Sequence, residues 1–182
     1  MDHPNIKDRK FFFCETLSAL DPDNLIVQCP TCTTLFAACC KHKSFGGDLR
    51  DPDKNVCHHL HLVLTDGACP NNGRGYAKAG LGIVVGDEFS WSITVDDTID
   101  SAPRTSQRAE LLAAIEGLKK LKEVHHDCLD MEYQENPRAS AARRRAMAKQ
   151  DYSATYIVVT DSEYLVKGIT EWFPGWRVRF VI

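Results

Sequence analysis

The sequence predicts an α/β fold in which three strands, a helix, a fourth strand and a second helix follow one another. Three observations carry that reading. Phe89, Trp91, Ile93 and Val95 alternate with polar residues, the period of a strand with one buried face. Leu111, Ile115, Leu118 and Leu121 recur at helical spacing. Tyr156-Ile157-Val158-Val159-Thr160 is a short apolar run, the pattern of a strand buried on both faces.

The elements follow in order. His61 to Thr65 is the first strand. Gly80-Leu81-Gly82-Ile83-Val84-Val85 is the second, and Gly86-Asp87 is a two-residue hairpin signal leading into the third. Pro103 closes the next loop, and a helix is predicted from about Ser106 to Val124, with Ser106 as its N-cap and no capping box behind it. Residues 125–154 are polar and turn-rich around Asn136-Pro137 and are read as an insertion. They carry Arg143-Arg144-Arg145 and Lys149 among alanines, which suits either a solvated segment or an auxiliary contact to nucleic acid. After the fourth strand, Leu165, Ile169 and Trp172 keep helical spacing and stop before Pro174-Gly175.

A chain of 182 residues, 43% hydrophobic and 26% charged, is long enough for one domain with a sizeable core. Its formal net charge of −3 provides no global attraction to nucleic acid, so any such attraction must come from local basic patches. No apolar run approaches the length of a transmembrane helix, and no membrane partner is expected. Phe11-Phe12-Phe13 is too short an apolar stretch for a signal peptide, and Asp2 and Asp8 make the terminus too acidic for a mitochondrial presequence. The expected compartment is intracellular and reducing, nuclear or cytoplasmic with the mitochondrion left open, and free thiols go with it.

Residues 1–59 differ from the rest. They hold six of the eight cysteines, and Asp21-Pro22, Asp51-Pro52 and Gly46-Gly47 mark turns. The segment is expected to be a Cys-rich extension with little regular structure, ahead of a domain over 60–182. Within it, Cys29-Pro30-Thr31-Cys32 has the C-x₂-C spacing of a zinc knuckle, with Cys39, Cys40, His42, Cys57, His58, His59 and His61 as candidate completing ligands. A second clean C-x₂-C is absent. Reduced thiols in a loosely packed extension are therefore expected ahead of zinc at Cys29 and Cys32.

Three carboxylates carry the chemistry. Asp66 ends the apolar run Leu62-Val63-Leu64-Thr65, Glu110 lies in the first turns of the predicted helix, and Asp161 ends the run Tyr156 to Thr160. Acids at strand ends and in a helix's first turns can converge, and converging acids repel unless cations sit between them. Oxygen-only ligands suit Mg²⁺ or Mn²⁺, and paired ions of this kind serve in-line displacement at phosphorus.

The segments around these acids resemble the ribonuclease H family of type one, most closely its fungal-type members. The matching residues are Thr65-Asp66-Gly67-Ala68-Cys69 with Asn72-Gly73, then Thr105-Ser106-Gln107-Arg108-Ala109-Glu110-Leu111, then Thr160-Asp161-Ser162, and finally Gly168-Ile169-Thr170-Glu171-Trp172 with Gly175-Trp176. The resemblance covers about residues 60–176. It implies a mixed sheet flanked by helices, of which the predicted elements are the front half. It also implies an endonuclease that cuts the RNA strand of RNA–DNA hybrids with two divalent ions, Asp66, Glu110 and Asp161 acting as catalytic and metal-binding residues. Gly67, Cys69, Asn72, Ser106 and Gln107 match positions on the substrate side, where Asn and Gln amides can donate and accept at once toward 2′-hydroxyls and bases. Cys69 suits a small buried thiol equally well; Trp172 and Trp176 match aromatics of the same side, and Trp172 suits a core position at least as well. The pattern departs from the family at the end. The family continues with a further strand, a His-bearing loop and a last helix with a fourth acid, whereas Trp176 is followed by Arg177-Val178-Arg179-Phe180-Val181-Ile182. The expectation is a fragment or mistranslated gene, with a truncated isoform as the other explanation. The competing functional reading is a catalytically impaired nucleic-acid-binding fragment without the fourth metal-binding acid.

Overall fold

The computed structural model describes residues 6–30, 32–39, 58–72, 74–95, 103–135, 154–173 and 175, with the backbone alone for 127–135. The described elements are β1 (Ile6–Lys7), β2 (Lys10–Phe11), α1 (Glu15–Ser18), β3 (Ile26–Gln28), β4 (Leu35–Ala37), β5 (Leu60–Ala68), β6 (Ala79–Gly86), β7 (Phe89–Val95), α2 (Ser106–Glu135), β8 (Thr155–Val159) and α3 (Glu163–Lys167), which runs on into a wider helical turn over Gly168–Trp172.

The predicted order of strands and helices is present as a mixed sheet. β5 pairs antiparallel with β6, and β6 with β7. β8 lies parallel to β5, with Leu60 opposite Thr155 and Leu64 opposite Val159. A parallel pair needs a crossover, and α2 lies within it. The alternation read in β7 holds, since Phe89, Trp91, Ile93 and Val95 are half-buried while Ser90, Ser92 and Thr94 are exposed.

One cluster fills the space between the sheet and α2. Val63, Ile83, Val85, Leu121 and Val124 are buried there, with Phe89, Trp91, Ile93 and Val158 packed against them. Only part of the set whose spacing predicts the helix faces the sheet. Ile115 and Leu118 are exposed, and Ala109, Ala113, Gly117, Leu121 and Val124 face the sheet. Both sets have helical spacing. The smaller side chains win the sheet side because the helix lies so close to it. A Cβ on Gly117 would stand 2.6 Å from Thr65 Cγ2 and 3.2 Å from Val63 Cγ2, inside contact distance.

Two further expectations are corrected. The helix extends to Glu135 instead of ending near Val124, so the start of the predicted insertion is helical. Its remainder over 136–153, with Asn136-Pro137 and the Arg143 to Lys149 stretch, lies outside the described residues, as do 176–182 with Trp176. The N-terminal segment is not a loose extension. β3 and β4 form an antiparallel hairpin, and β4 joins β5 at Phe36 opposite His61. Because β8 occupies one edge of β5 at His61, β4 must use the other edge, in line with β6. A bridge between Thr34 and Gly86 links β4 to the end of β6. Ala37 and Cys39 are buried with Leu60 and Leu62, and Phe11, Leu35, Ile157 and Val159 pack on them. Arg9 Nη1 donates to the Ile169 carbonyl at 3.0 Å, and its guanidinium stands 4.7 Å from the Phe173 ring centroid. The short elements escaped the sequence reading because two- and three-residue strands have no room for a periodic signal.

A histidine cluster stands where the hairpin meets the sheet. The rings of Phe36 and His61 are 4.8 Å apart, those of His61 and His125 are 4.0 Å apart, and His125 Nδ1 is 2.8 Å from the Tyr156 hydroxyl. Burial, followed by the charges of His125 and His58, lowers the His61 pKa from 6.5 to about 3.

Two predictions follow from this packing. Phe36 is 1% exposed. Phe36→Ala should lower the unfolding free energy by about 3–5 kcal/mol in denaturant titration, with one cooperative transition. An unmoved transition would mean that the hairpin is an appendage. For His61, the unfolded ring takes up a proton below its ordinary pKa while the folded ring stays neutral down to about 3. The unfolded state therefore binds more protons in that window, and stability falls as pH drops from about 6.5 toward 3, by at most about 1.4 kcal/mol per pH unit. His61→Phe should flatten the slope of unfolding free energy against pH there and leave it unchanged above pH 7. An unaltered slope would assign the proton elsewhere.

Candidate active site

Asp66, Glu110 and Asp161 come together, each offering a carboxylate oxygen within 4.8 Å of the others. Three local devices bring them there. Asp66 sits near the end of β5, opposite Gly82 of β6. Asp161 follows β8 directly and is held between two turns. Thr160 Oγ1 accepts the Ser162 N–H at 3.1 Å, and Ser162 Oγ caps α3 by accepting the Leu165 N–H at 3.3 Å. Because β8 runs parallel to β5, both acids leave the sheet at the same end.

Glu110 comes from the first turns of α2, and Gly67 allows it to reach the other two. A Cβ on Gly67 would overlap the Ala109 carbonyl carbon and the Glu110 nitrogen, so only glycine lets the helix press onto the strand at this point. The same contact supplies a hydrogen bond, because the Gly67 N–H donates to the Glu110 carboxylate. Gly67, expected on the substrate side, thus acts as the seat of the helix.

The start of α2 is pinned from two directions. Thr105 Oγ1 accepts the Arg108 N–H at 3.2 Å, so Thr105 is the N-cap and Ser106 the first helical residue, a correction of one position. Asn72 Oδ1 accepts the Ser106 N–H at 3.0 Å. Asn72, Ser106 and Gln107 therefore share one end of the helix, with Asn72 and Gln107 exposed. Arg104 Nη1 donates to the Ala77 carbonyl and ties the preceding loop down.

Cys69 takes the buried one of its two readings. Its thiol is buried with Ala77, Ala79, Leu81, Ala109 and Ala113, the place of a small core residue and not of one presented to a ligand. Trp172 is half-exposed, its ring edge-on to Tyr164 at 5.5 Å. The loop after β5 holds a feature that sequence reasoning missed. Tyr76 is 63% exposed, and Arg74 Nη1 donates to its hydroxyl at 2.7 Å. Lone aromatic and basic residues in a loop have no period to betray them.

The charges at this site are under tension. Burial, then the negative charges of Asp66 and Asp161, raise the Glu110 pKa above the usual carboxylate value, and the Gly67 hydrogen bond opposes them only in part. Glu110 Oε2 is buried with no hydrogen-bond partner among the described residues. A buried carboxylate oxygen left without a donor, facing two further acids, suits a divalent cation with oxygen ligands.

The sequence model of the RNase H family matches residues 59–181. The chain belongs to the RNase H family. Among curated proteins, a ribonuclease H of Pseudomonas paraeruginosa is 32% identical over 119 residues, covering 65% of this chain and 56% of that protein. Mouse ribonuclease H1 is 27% identical over 116 residues, covering 64% of this chain and 30% of its own length. The chain thus spans about half of the bacterial relative and under a third of the mouse one. Among solved structures, a foamy viral protease-reverse transcriptase in complex with dsDNA aligns with a TM-score of 0.40 at 21% identity, over 70% of this chain and 64% of that one. Among the described residues, no helix is long and apolar enough to cross a membrane.

Repulsion among the acids is measurable without substrate. In chelator, Asp66→Asn should raise the melting temperature by a few degrees, since it removes one of the charges that strain Glu110. Added Mg²⁺ should then raise the melting temperature of the native chain more than that of the variant. A variant that melts lower in chelator and responds equally to Mg²⁺ would remove the case for a strained, cation-seeking cluster.

Proposed function

We propose that this chain cuts the RNA strand of RNA–DNA hybrids as a metal-dependent endonuclease. The observation that carries the reading is the convergence of Asp66, Glu110 and Asp161 around a buried, partnerless Glu110 oxygen. The names of the curated relatives support it. Asp66, Glu110 and Asp161 would hold two Mg²⁺ or Mn²⁺ ions. Such ions supply Lewis acidity at the phosphodiester and acidify water beside it.

The chain's own residues do the rest. Asp66 and Asp161 are exposed and face solution, where a phosphate can approach, while the half-buried Glu110 anchors the cluster from behind. The net negative charge of the three acids repels a phosphodiester until it is neutralised, so substrate engagement depends on the cation. Asn72, Ser106 and Gln107 stand at the start of α2, one turn before Glu110. Their amide and hydroxyl groups suit the 2′-hydroxyls and base edges of a wide minor groove. Because Asn72 also holds the Ser106 amide, groove contact and helix position are coupled there. The exposed Tyr76, carrying Arg74 against its hydroxyl, adds an aromatic face with a neighbouring cation on the same loop, the pairing that nucleic acid stacks upon.

Cleavage of an end-labelled RNA–DNA hybrid tests the proposal. With Mg²⁺ or Mn²⁺ the native chain should cut the RNA strand and leave a DNA duplex intact, and Asp66→Asn should reduce cutting to background. Asn72→Ala should chiefly raise KM. Binding of the hybrid without cleavage, from folded protein and with either ion, would replace the proposal by a nucleic-acid-binding fragment.

A further inference from the structure

A second group of ligand atoms lies at the other end of β5 from the acids. Cys29 follows β3, and Cys32 lies in the turn before β4. The turn is closed by its backbone, the Cys29 N–H donating to the Thr34 carbonyl at 3.0 Å and the Thr33 N–H to the Cys29 carbonyl at 2.8 Å. His58 arrives from far along the chain, just before β5. Its Nε2 stands 4.0 Å from Cys32 Sγ, and one ligand atom from each of Cys29, Cys32 and His58 lies within 4.8 Å of the others.

We propose that Cys29, Cys32 and His58 bind a zinc ion that clamps the β3–β4 hairpin to β5. The ligand set decides the metal. Two sulfurs and an imidazole are soft and borderline donors, which select zinc over the hard cations suited to the acids. The spacing is close to what coordination needs. Tetrahedral zinc with ordinary bond lengths separates two sulfurs by about 3.8 Å and a sulfur from a nitrogen by about 3.6 Å, so closure asks for shifts of a few tenths of an ångström up to about 1 Å.

The surroundings orient these groups. The His58 ring lies flat on Phe36, with centroids 4.3 Å apart and planes 6° apart, and Phe36 is fully buried. Thr34 Oγ1 is 3.1 Å from Cys32 Sγ, placed to donate to a thiolate. Thr33 holds φ of 56°, a left-handed backbone that a β-branched residue adopts at a cost. A Cβ on Gly86 would overlap the Thr33 carbonyl, so the turn is pressed onto the end of β6. Such a clamp would secure a hairpin whose pairing with β5 is a single residue pair, Phe36 with His61.

The two sites are far enough apart to be told apart. From Leu60 to Asp66 the strand rises about 20 Å. Purified full-length chain, reduced and reconstituted with zinc, then freed of excess ion, should carry one zinc per chain by elemental analysis. Asp66→Asn should keep it, and Cys32→Ser should lose it. Because Cys32→Ser could unfold the hairpin, Co²⁺ added to the native chain is the second measurement. A thiolate-to-cobalt charge-transfer band with tetrahedral visible absorption is expected, and zinc should abolish it. A chain without retained zinc and without that band overturns the proposal. So does zinc that Asp66→Asn loses and Cys32→Ser keeps, or a Cys29–Cys32 disulfide in chain purified under reductant.

Discussion

The close approach of α2 to β5 is the constraint on which the rest of the molecule depends. At Gly67 and again at Gly117 the helix backbone sits so near the strand that a single methyl group would collide. Three consequences follow together. Small residues, Ala109, Ala113 and Gly117, occupy the sheet side of the helix, and larger ones are displaced to solvent. The amide of Gly67 comes within hydrogen-bonding reach of Glu110. Glu110 is also held against Asp66 and Asp161, a position it would leave if the helix stood even a side chain's width further out. Packing and chemistry are therefore one event here. The helix is seated by glycines, and the seat delivers the third acid.

That delivery has an electrostatic cost. Desolvation and two neighbouring acids make the charged form of Glu110 unfavourable, and one of its oxygens has no donor. A fold selected for stability alone would place a lysine or an amide opposite such a group, or an apolar residue in its place. With three acids held together, their repulsion acts on Glu110 and is expressed in its raised pKa. An ion bound there would stabilise the folded state in proportion to its occupancy.

Much of this was legible in the sequence, and the reasons for what was not are physical. β5 to β8 and the acids that end β5 and β8 could be read because long, alternating or wholly apolar runs have few structural alternatives. The spacing of Leu111, Ile115, Leu118 and Leu121 located α2 but did not give its buried face. Leucine and isoleucine weigh most in any hydrophobic pattern, yet the distance between helix and strand, which no pattern encodes, selected alanine and glycine. Cys69 was open to a substrate-side and a buried reading, and its small volume suits the apolar cluster in which it lies. Thr105 and Ser106 are both competent caps, and only the geometry of Arg108 decides between them. The N-terminal hairpin was invisible because its strands are too short for periodicity and its anchors, Phe36 against His58 and His61, are distant in sequence.

The hairpin also changes how the sheet is understood. A strand edge that carries only one paired residue exposes unsatisfied backbone groups and slips easily in register. β4 meets β5 in that way, and the compensation is lateral rather than along the ladder. Phe36 stacks on His58 and meets His61 at a tilt, Cys39 and Ala37 bury against Leu60 and Leu62, and Thr34 bridges to Gly86. Side-chain contacts on both faces of the sheet thus fix a register that backbone pairing alone would leave free. One strand, β5, then carries opposite chemistries at its two ends, aromatic, imidazole and thiol groups where it begins and oxygen acids where it finishes. The strand spans from the hairpin's attachment at His61 to Asp66, so one element joins the two groups.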